Sequence, residues 1–405
     1  MKTFSITLLA YLAWTFAATA QPAAPPADEP LPLEWIDPAT RHKVVRLTRE
    51  GTDNKSFYFH NSPFIKSADG KDDLMIYVGA VDRRRQFFAV NLRTLESTQL
   101  TNRPRGASGE ILDKTHREVV YQRGDSVLAT HVDTRETRLI ARFPANLGAS
   151  ISTINADGTL LAGKYSEERK AQEILAQYPE KNQYFNRIYD AHIKHYLFTL
   201  DTRTGQMKVI HEENEWTNHI QFSPTDPSLL MFCHEGPWHK VDRIWTIDVN
   251  TTDFKLMHRR TMDMEIAGHE FFSPDGQRIW FDLQMPRSVT FFVAGVDVRT
   301  GEEIKYELAR DEWSVHYNIS PDRTLFCGDG GHEGSVAKAP DGKWIYLFRP
   351  DGNRFVSERL VNMKNHDYKL EPNVHFTPDQ KWVIFRSNLL GGQTHVYAVE
   401  IERTR

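Results

Sequence analysis

A short turn that returns along the whole chain narrows the possible folds more than any other feature. An apolar residue followed by Ser, Thr or Asn, then Pro or Ala, then Asp and Gly, or a worn version of that run, recurs at KSADG (66–70), ILDK (111–114), INADG (154–158), FSPTD (222–226), FSPDG (272–276), ISPDR (319–323) and FTPDQ (376–380). The copies lie 43 to 68 residues apart. That is near the length of a four-stranded blade, and a period of this kind signals blades arranged around an axis. Alternating strands such as IWFDL (279–283) and WVIFRS (382–387) follow the turns. A second polar turn then recurs at Asn91, Asp133, Asp201, Asp248 and Asp297. Asp and Asn bond their own backbone two residues on, which reverses the chain between short strands. These motifs read as structural, and the fold class they predict is all-β, a seven-bladed β-propeller.

The ends and the one long interval fit that plan. DPATRHKVVRLT (37–48) reads as the outer hairpin of a blade whose inner strands lie near HVYAVEI (395–401), so N- and C-terminal strands pair and close the ring. Residues 167–192 have helical periodicity and read as a helical insertion capping one face. Residues 1–20 read as a signal peptide, with Lys2 before an apolar run that ends Ala18-Thr19-Ala20. Residues 21–34 form a Pro-rich linker, and 35–405 a single propeller. The expected compartment is periplasmic or extracellular, with no membrane span after cleavage. With 40% hydrophobic and 26% charged residues the chain is neither a disordered tail nor a polytopic membrane protein. Its formal charge of −4 and lack of a basic run argue against a nucleic-acid partner. Cys233 and Cys327 each follow a Phe in a strand-like run and read as buried free thiols.

Against this structural background a set of polar residues stands out. Three consecutive blades carry His three places before the turn's apolar residue: His219, His269 and His316. Asn373 holds that place in the last blade, and Glu371 and His375 share its face if the segment is extended. Histidines at one phase of a ring converge on its axis, and convergent imidazole and carboxylate suit a divalent metal or acid–base chemistry. FCHEGPWHKVDRIW (232–245) adds His234, Glu235, His239, Asp242 and Arg243, and HNSPF adds His60 and Asn61. GDGGHEG (328–334) lacks the strand–helix context and Lys of a phosphate loop, and no G-x-S-x-G elbow of a serine hydrolase occurs.

The order FCHEGPWHKVDRIW, GHEFFSPDG (268–276), SVHYNISPDRTLFCGDGG (314–331) resembles the oligogalacturonate lyase family, with KVVRLT near the start and FTPD near the end extending the likeness over most of the chain. The resemblance implies a propeller lyase that cleaves uronic-acid oligosaccharides by β-elimination with a divalent metal, typically manganese. It assigns His269 as base, Arg243 beside the substrate carboxylate and His316 as a metal ligand; His60, His219 and His234, singled out from the residues themselves, are read as substrate-binding. In the last blade the family has Gln and then His-Pro-His, whereas this chain reads Lys369-Leu370-Glu371-Pro372-Asn373-Val374-His375. Glu371 and Asn373 stand in the two histidine places. With His316 and His375 they give an oxygen-richer ligand set, suited to manganese, calcium or magnesium rather than zinc, or to no metal at all. The implied partner is an acidic oligosaccharide. Related lyases acting on ulvan or rhamnosyl-glucuronate, and a non-catalytic binding propeller of the TolB type, are the alternatives.

Overall fold

A computed structural model describes residues 32–403. The leader read at 1–20 and the linker through residue 31 lie outside the described residues. Seven short antiparallel sheets surround an axis. The second, third and fourth blades run Ile111–Asp113 to Thr137–Arg142, Ser150–Ile154 to Met207–Glu213, and Thr217–Phe222 to Phe254–Leu256. The fifth runs Ile266–Phe272 to Glu303–Leu308 and the sixth Tyr317–Ile319 to Arg354–Asn362; a single parallel bridge, Glu307 to Arg354, joins their outer edges. Every turn copy in the sequence falls at the end of an inner strand.

The seventh blade is built from both ends of the chain. His375–Phe376, Trp382–Ser387 and His395–Arg403 are followed outward by His42–Arg46 and Glu34–Ile36, with Val44 opposite Val399 and Val45 opposite Ala398. The expected closure is therefore present, and no inner sheet edge is left open. The outermost strand begins at Glu34, the last residue read as linker, because Glu34 pairs with Val45.

Alternating strands present apolar side chains to the sheet on either side, and each neighbouring pair of blades encloses its own core. Phe87 and Tyr121 pack between the first and second blades, Leu197 and Phe232 between the third and fourth, and Leu347 and Phe385 between the sixth and seventh. Burying one such side chain stabilises by roughly 1.5–3 kcal/mol, so the ring is held by the sum of its interfaces. Cys233 and Cys327 are free and buried within strands, as their context implied.

Two departures from regular blade geometry shape one face. In the first blade the inner strand is split. Thr52–Lys55 and Phe64–Lys66 both pair with Asp73–Val81, and the residues between them swing inward. Phe59 is carried so far that it is fully buried in the core between the fifth and sixth blades. The second departure is the helical insertion, Glu168–Gln177 and Lys181–Asp190, between the second and third strands of the third blade. It leans on the equivalent connection of the fourth blade through Trp238 and on the link into that blade through Trp216: Phe185 packs against them at 6.2 and 5.2 Å between centroids. Gly236 has φ of +147°, and a Cβ there would sit 2.5 Å from the Tyr189 ring, so glycine permits this docking. Among the described residues no helix is long and apolar enough to cross a membrane.

Candidate active site

The repeat delivers imidazoles to the axis through a local backbone device. His219 and His269 have φ of 46° and 49°, at breaks in strand register between Asn218 and Gln221 and between Gly268 and Phe271. Asn373 shares the conformation, with φ of 52°. A bulge re-aims the side chain it carries, and a non-glycine residue held there costs on the order of 1–3 kcal/mol, which the surrounding sheets must over-determine.

His269 is held by a carboxylate. Its Nδ1–H donates to Asp282 Oδ1 at 2.8 Å, which leaves Nε2 with its lone pair. The side chain is 26% exposed, the most open of the axial imidazoles, against 19% for His219 and 0% for His316. Burial alone would lower its pKa, but the charge and hydrogen bond of Asp282 outweigh that and raise it.

His316 repeats the arrangement one blade on. Its Nδ1–H donates to Asp329 Oδ2 at 2.8 Å, and Nε2 accepts from the Tyr58 hydroxyl at 3.2 Å. The ring stacks on Phe59 at 4.7 Å and stands edge-on to His269. Burial, then the nearby Glu371 and Glu270 carboxylates, push the Tyr58 phenol well above its ordinary pKa and keep it protonated.

Arg243 is paired with two carboxylates. Nε donates to Glu270 Oε2 at 3.0 Å and Nη1 to Glu235 Oε1 at 3.1 Å. Despite burial, Arg243 and His219 pull the Glu270 carboxyl down to about 2. One guanidinium thus faces two carboxylates, and among the described residues none accepts from its Nη2. His219 lies 3.9 Å from Glu235 and 6.3 Å from the Tyr58 ring, and burial lowers its pKa to about 4, so it is neutral at pH 7.

The other sequence candidates are engaged elsewhere. His234 turns to Glu213, 3.0 Å from Nε2, between the third and fourth blades rather than at the axis. His375 donates through Nε2 to the Tyr58 and Asn61 carbonyls, at 3.2 and 3.1 Å. Asn373 accepts from the Phe59 amide through Oδ1 and donates through Nδ2 to the Glu371 carbonyl. Of the four residues read as metal ligands, only His316 and Glu371 face each other, with Nε2 and Oε2 3.9 Å apart. The Asn373 amide and His375 Nε2 are committed to backbone and His316 Nε2 to Tyr58, so the set does not form a coordination shell. Among the described residues no group of three or more His, Cys, Asp or Glu side chains could hold a metal ion.

His60 and His375 line a different space, a cavity of about 560 Å³ at the turn end of the channel, ringed by Pro224, Pro274, Pro321 and Pro378. Burial takes the His60 pKa down to about 3. His269, His316 and Arg243 do not line this cavity.

Sequence reasoning missed Tyr58, Asp282, Asp329, Glu270 and Arg386. Two of these left a trace, since Asp282 interrupts the apolar run IWFDL and Asp329 opens the glycine-rich GDGG.

The family model described as oligogalacturonate lyase matches residues 33–404. The oligogalacturonate lyase of Dickeya dadantii (strain 3937) is 26% identical over 372 residues, covering 88% of this chain and 93% of that protein. The oligogalacturonide lyase of Pectobacterium atrosepticum is 24% identical over 375 residues, again covering 88% and 93%. A solved oligogalacturonate lyase in complex with manganese superposes with a TM-score of 0.78 at 24% identity, covering 91% of this chain and 96% of its own. The family match spans nearly all of the described propeller, and the chain belongs to the oligogalacturonate lyase family.

Proposed function

We propose that this protein cleaves oligogalacturonate by β-elimination, leaving a 4,5-unsaturated uronate. The observation that carries the reading is the His269–Asp282 pair, a carboxylate-oriented imidazole whose side chain is more exposed than those of His219 and His316. Elimination requires a base for the C5 proton, positive charge or hydrogen-bond donors at the adjacent carboxylate, and a proton for the departing C4 oxygen. His269 Nε2 takes the C5 proton; the C–H electron pair becomes the C4–C5 double bond as the C4–O bond breaks. Tyr58, kept protonated by its surroundings and backed by the His316–Asp329 pair, is the acid for the leaving oxygen. Arg243 offers its Nη2 edge as a donor, although Glu235 and Glu270 offset its charge.

The expected metal ligands do not form a shell, so every step above is assigned to side chains of the chain itself. The manganese of the solved relative belongs to that protein. The leader read at residues 1–20 supports action outside the cytoplasm. The test is incubation with oligogalacturonate, ulvan and rhamnosyl-glucuronate substrates, with and without chelator, following the ultraviolet absorbance of the unsaturated product. Oligogalacturonate is the substrate expected to respond.

A further inference from the structure

Two arginines are buried among the described residues, Arg243 and Arg386, and they are treated in opposite ways. Arg243 is paired with two carboxylates. Arg386, from the second strand of the seventh blade, donates only to main-chain carbonyls, through Nε to Glu371 at 2.7 Å and through Nη1 to Ser56 at 3.0 Å. Among the described residues no carboxylate lies within ion-pair distance of it. A guanidinium taken out of water without a counter-charge is costly, and such a charge is found where a ligand supplies the opposite one. The surroundings identify the place. Glu371, whose carbonyl accepts from Arg386, lies 3.9 Å from His316 Nε2 through its carboxylate. Ser56 begins the same inward excursion that carries Tyr58. Burial lowers the Arg386 pKa, with Glu110, Glu371, Asp329 and Tyr58 acting against that.

We propose that Arg386 binds a uronate carboxylate of the substrate, so that the positive charge comes from the last blade and not from Arg243. The proposal deepens the function above and rests on its uronide substrate. Two further cations extend the track toward the first blade. Lys55 and Arg85 carry no ion pair among the described residues; Arg85 donates to the Asp53 carbonyl. Burial lowers the Lys55 pKa, as do its neighbours Arg85 and Arg386. Three adjacent unpaired cations suit an oligomer with a carboxylate on each sugar, and would do little for a neutral glycan.

The experiment measures binding, so that it does not depend on turnover. Trigalacturonate is titrated calorimetrically into the full-length His269→Ala protein and into the same protein carrying Arg386→Gln. The dissociation constant is expected to rise about 100-fold with Arg386→Gln. Its dependence on salt should flatten, which loss of a purely structural contact would not cause. Binding within about threefold of the parent, or a weakened affinity with the salt dependence unchanged, would overturn the proposal. If the Gln variant melts early, Arg386→Lys carries the test. Affinity within about tenfold of the parent and an undiminished salt slope support the proposal, and loss as complete as with Gln refutes it. Failure of the lyase reading has a separate signature, namely no unsaturated product from the unmodified protein.

Discussion

The imidazole of His269 meets that of His316 edge to face, with ring centroids 4.9 Å apart and planes at 81°, although the two residues come from different blades. Each is anchored at Nδ1 by a carboxylate 2.8 Å away, Asp282 for one and Asp329 for the other. The surroundings of Nε2 separate them. That of His316 is occupied by the Tyr58 hydroxyl, while His269 is the more exposed of the two. This asymmetry makes His269 the base and places His316 behind the acid.

Replacing His269 by Ala should lower kcat at least ~100-fold, the lower end of what a positioned base contributes. The side chain is partly exposed and is not part of a blade core, so the thermal midpoint should stay near that of the parent. Product absorbance and a melting curve on the same preparation check both halves.

Asp282→Asn should shift the pH profile as well as the rate. The base works in its neutral form, and Asp282 raises the His269 pKa, so activity should climb with pH as that group deprotonates. Without the carboxylate charge the climb moves to lower pH. The plateau falls ~100-fold or more, because Asn no longer fixes the tautomer that leaves Nε2 free. A profile whose acidic limb stays in place would show that another group titrates.

Tyr58→Phe removes the hydroxyl donated to His316 and keeps the ring that packs against it. Loss of the acid should lower kcat ~100-fold, with KM little changed. A fall confined to KM would make Tyr58 a binding residue instead.

Stability should follow the buried carboxylates. The Glu270 carboxyl is held near about 2, where Arg243 outweighs burial, and the Glu213 carboxyl near about 2, where its His211 and His234 bonds outweigh burial. Each folded pKa is below the unfolded one. Their stabilisation is therefore complete above the ordinary carboxylate range and is lost as pH falls from about 4.5 toward 2. Thermal midpoints should drop across that window. Glu270→Ala, which leaves Arg243 with one partner, should cost about 3–5 kcal/mol near neutral pH.

Much of the scaffold could be read directly from the residues. Turn chemistry is local: Ser-Pro-Asp-Gly reverses a chain wherever it occurs, so its recurrence revealed the blades, and the long interval revealed the cap. The ring closure followed because a lone hairpin at the N-terminus needs a partner sheet. The positions of His219, His269 and His316 were visible because they share one phase of the repeat. Their roles were not, since these depend on partners brought in from other blades. Tyr58 reaches His316 only because the first inner strand is split, a tertiary event with no local signature. His375 and Asn373 seemed to face the axis with Glu371, but His375 Nε2 and the Asn373 amide are committed to the backbone of residues 58–61 and 371. His234 was read toward the substrate, yet Glu213 from the neighbouring blade claims it. Arg386 lies within the strand WVIFRS, where a single charge after an apolar run looks like an ordinary strand end.

The central claim is that an imidazole at position 269 removes the C5 proton of a uronate. Mass and ultraviolet analysis of the products from trigalacturonate, with the parent protein and with His269→Ala side by side, tests it most directly. The account predicts fragments bearing a 4,5-unsaturated end with the parent and intact substrate with the variant. Saturated fragments from the parent, or unsaturated ones formed equally fast by the variant, would contradict it.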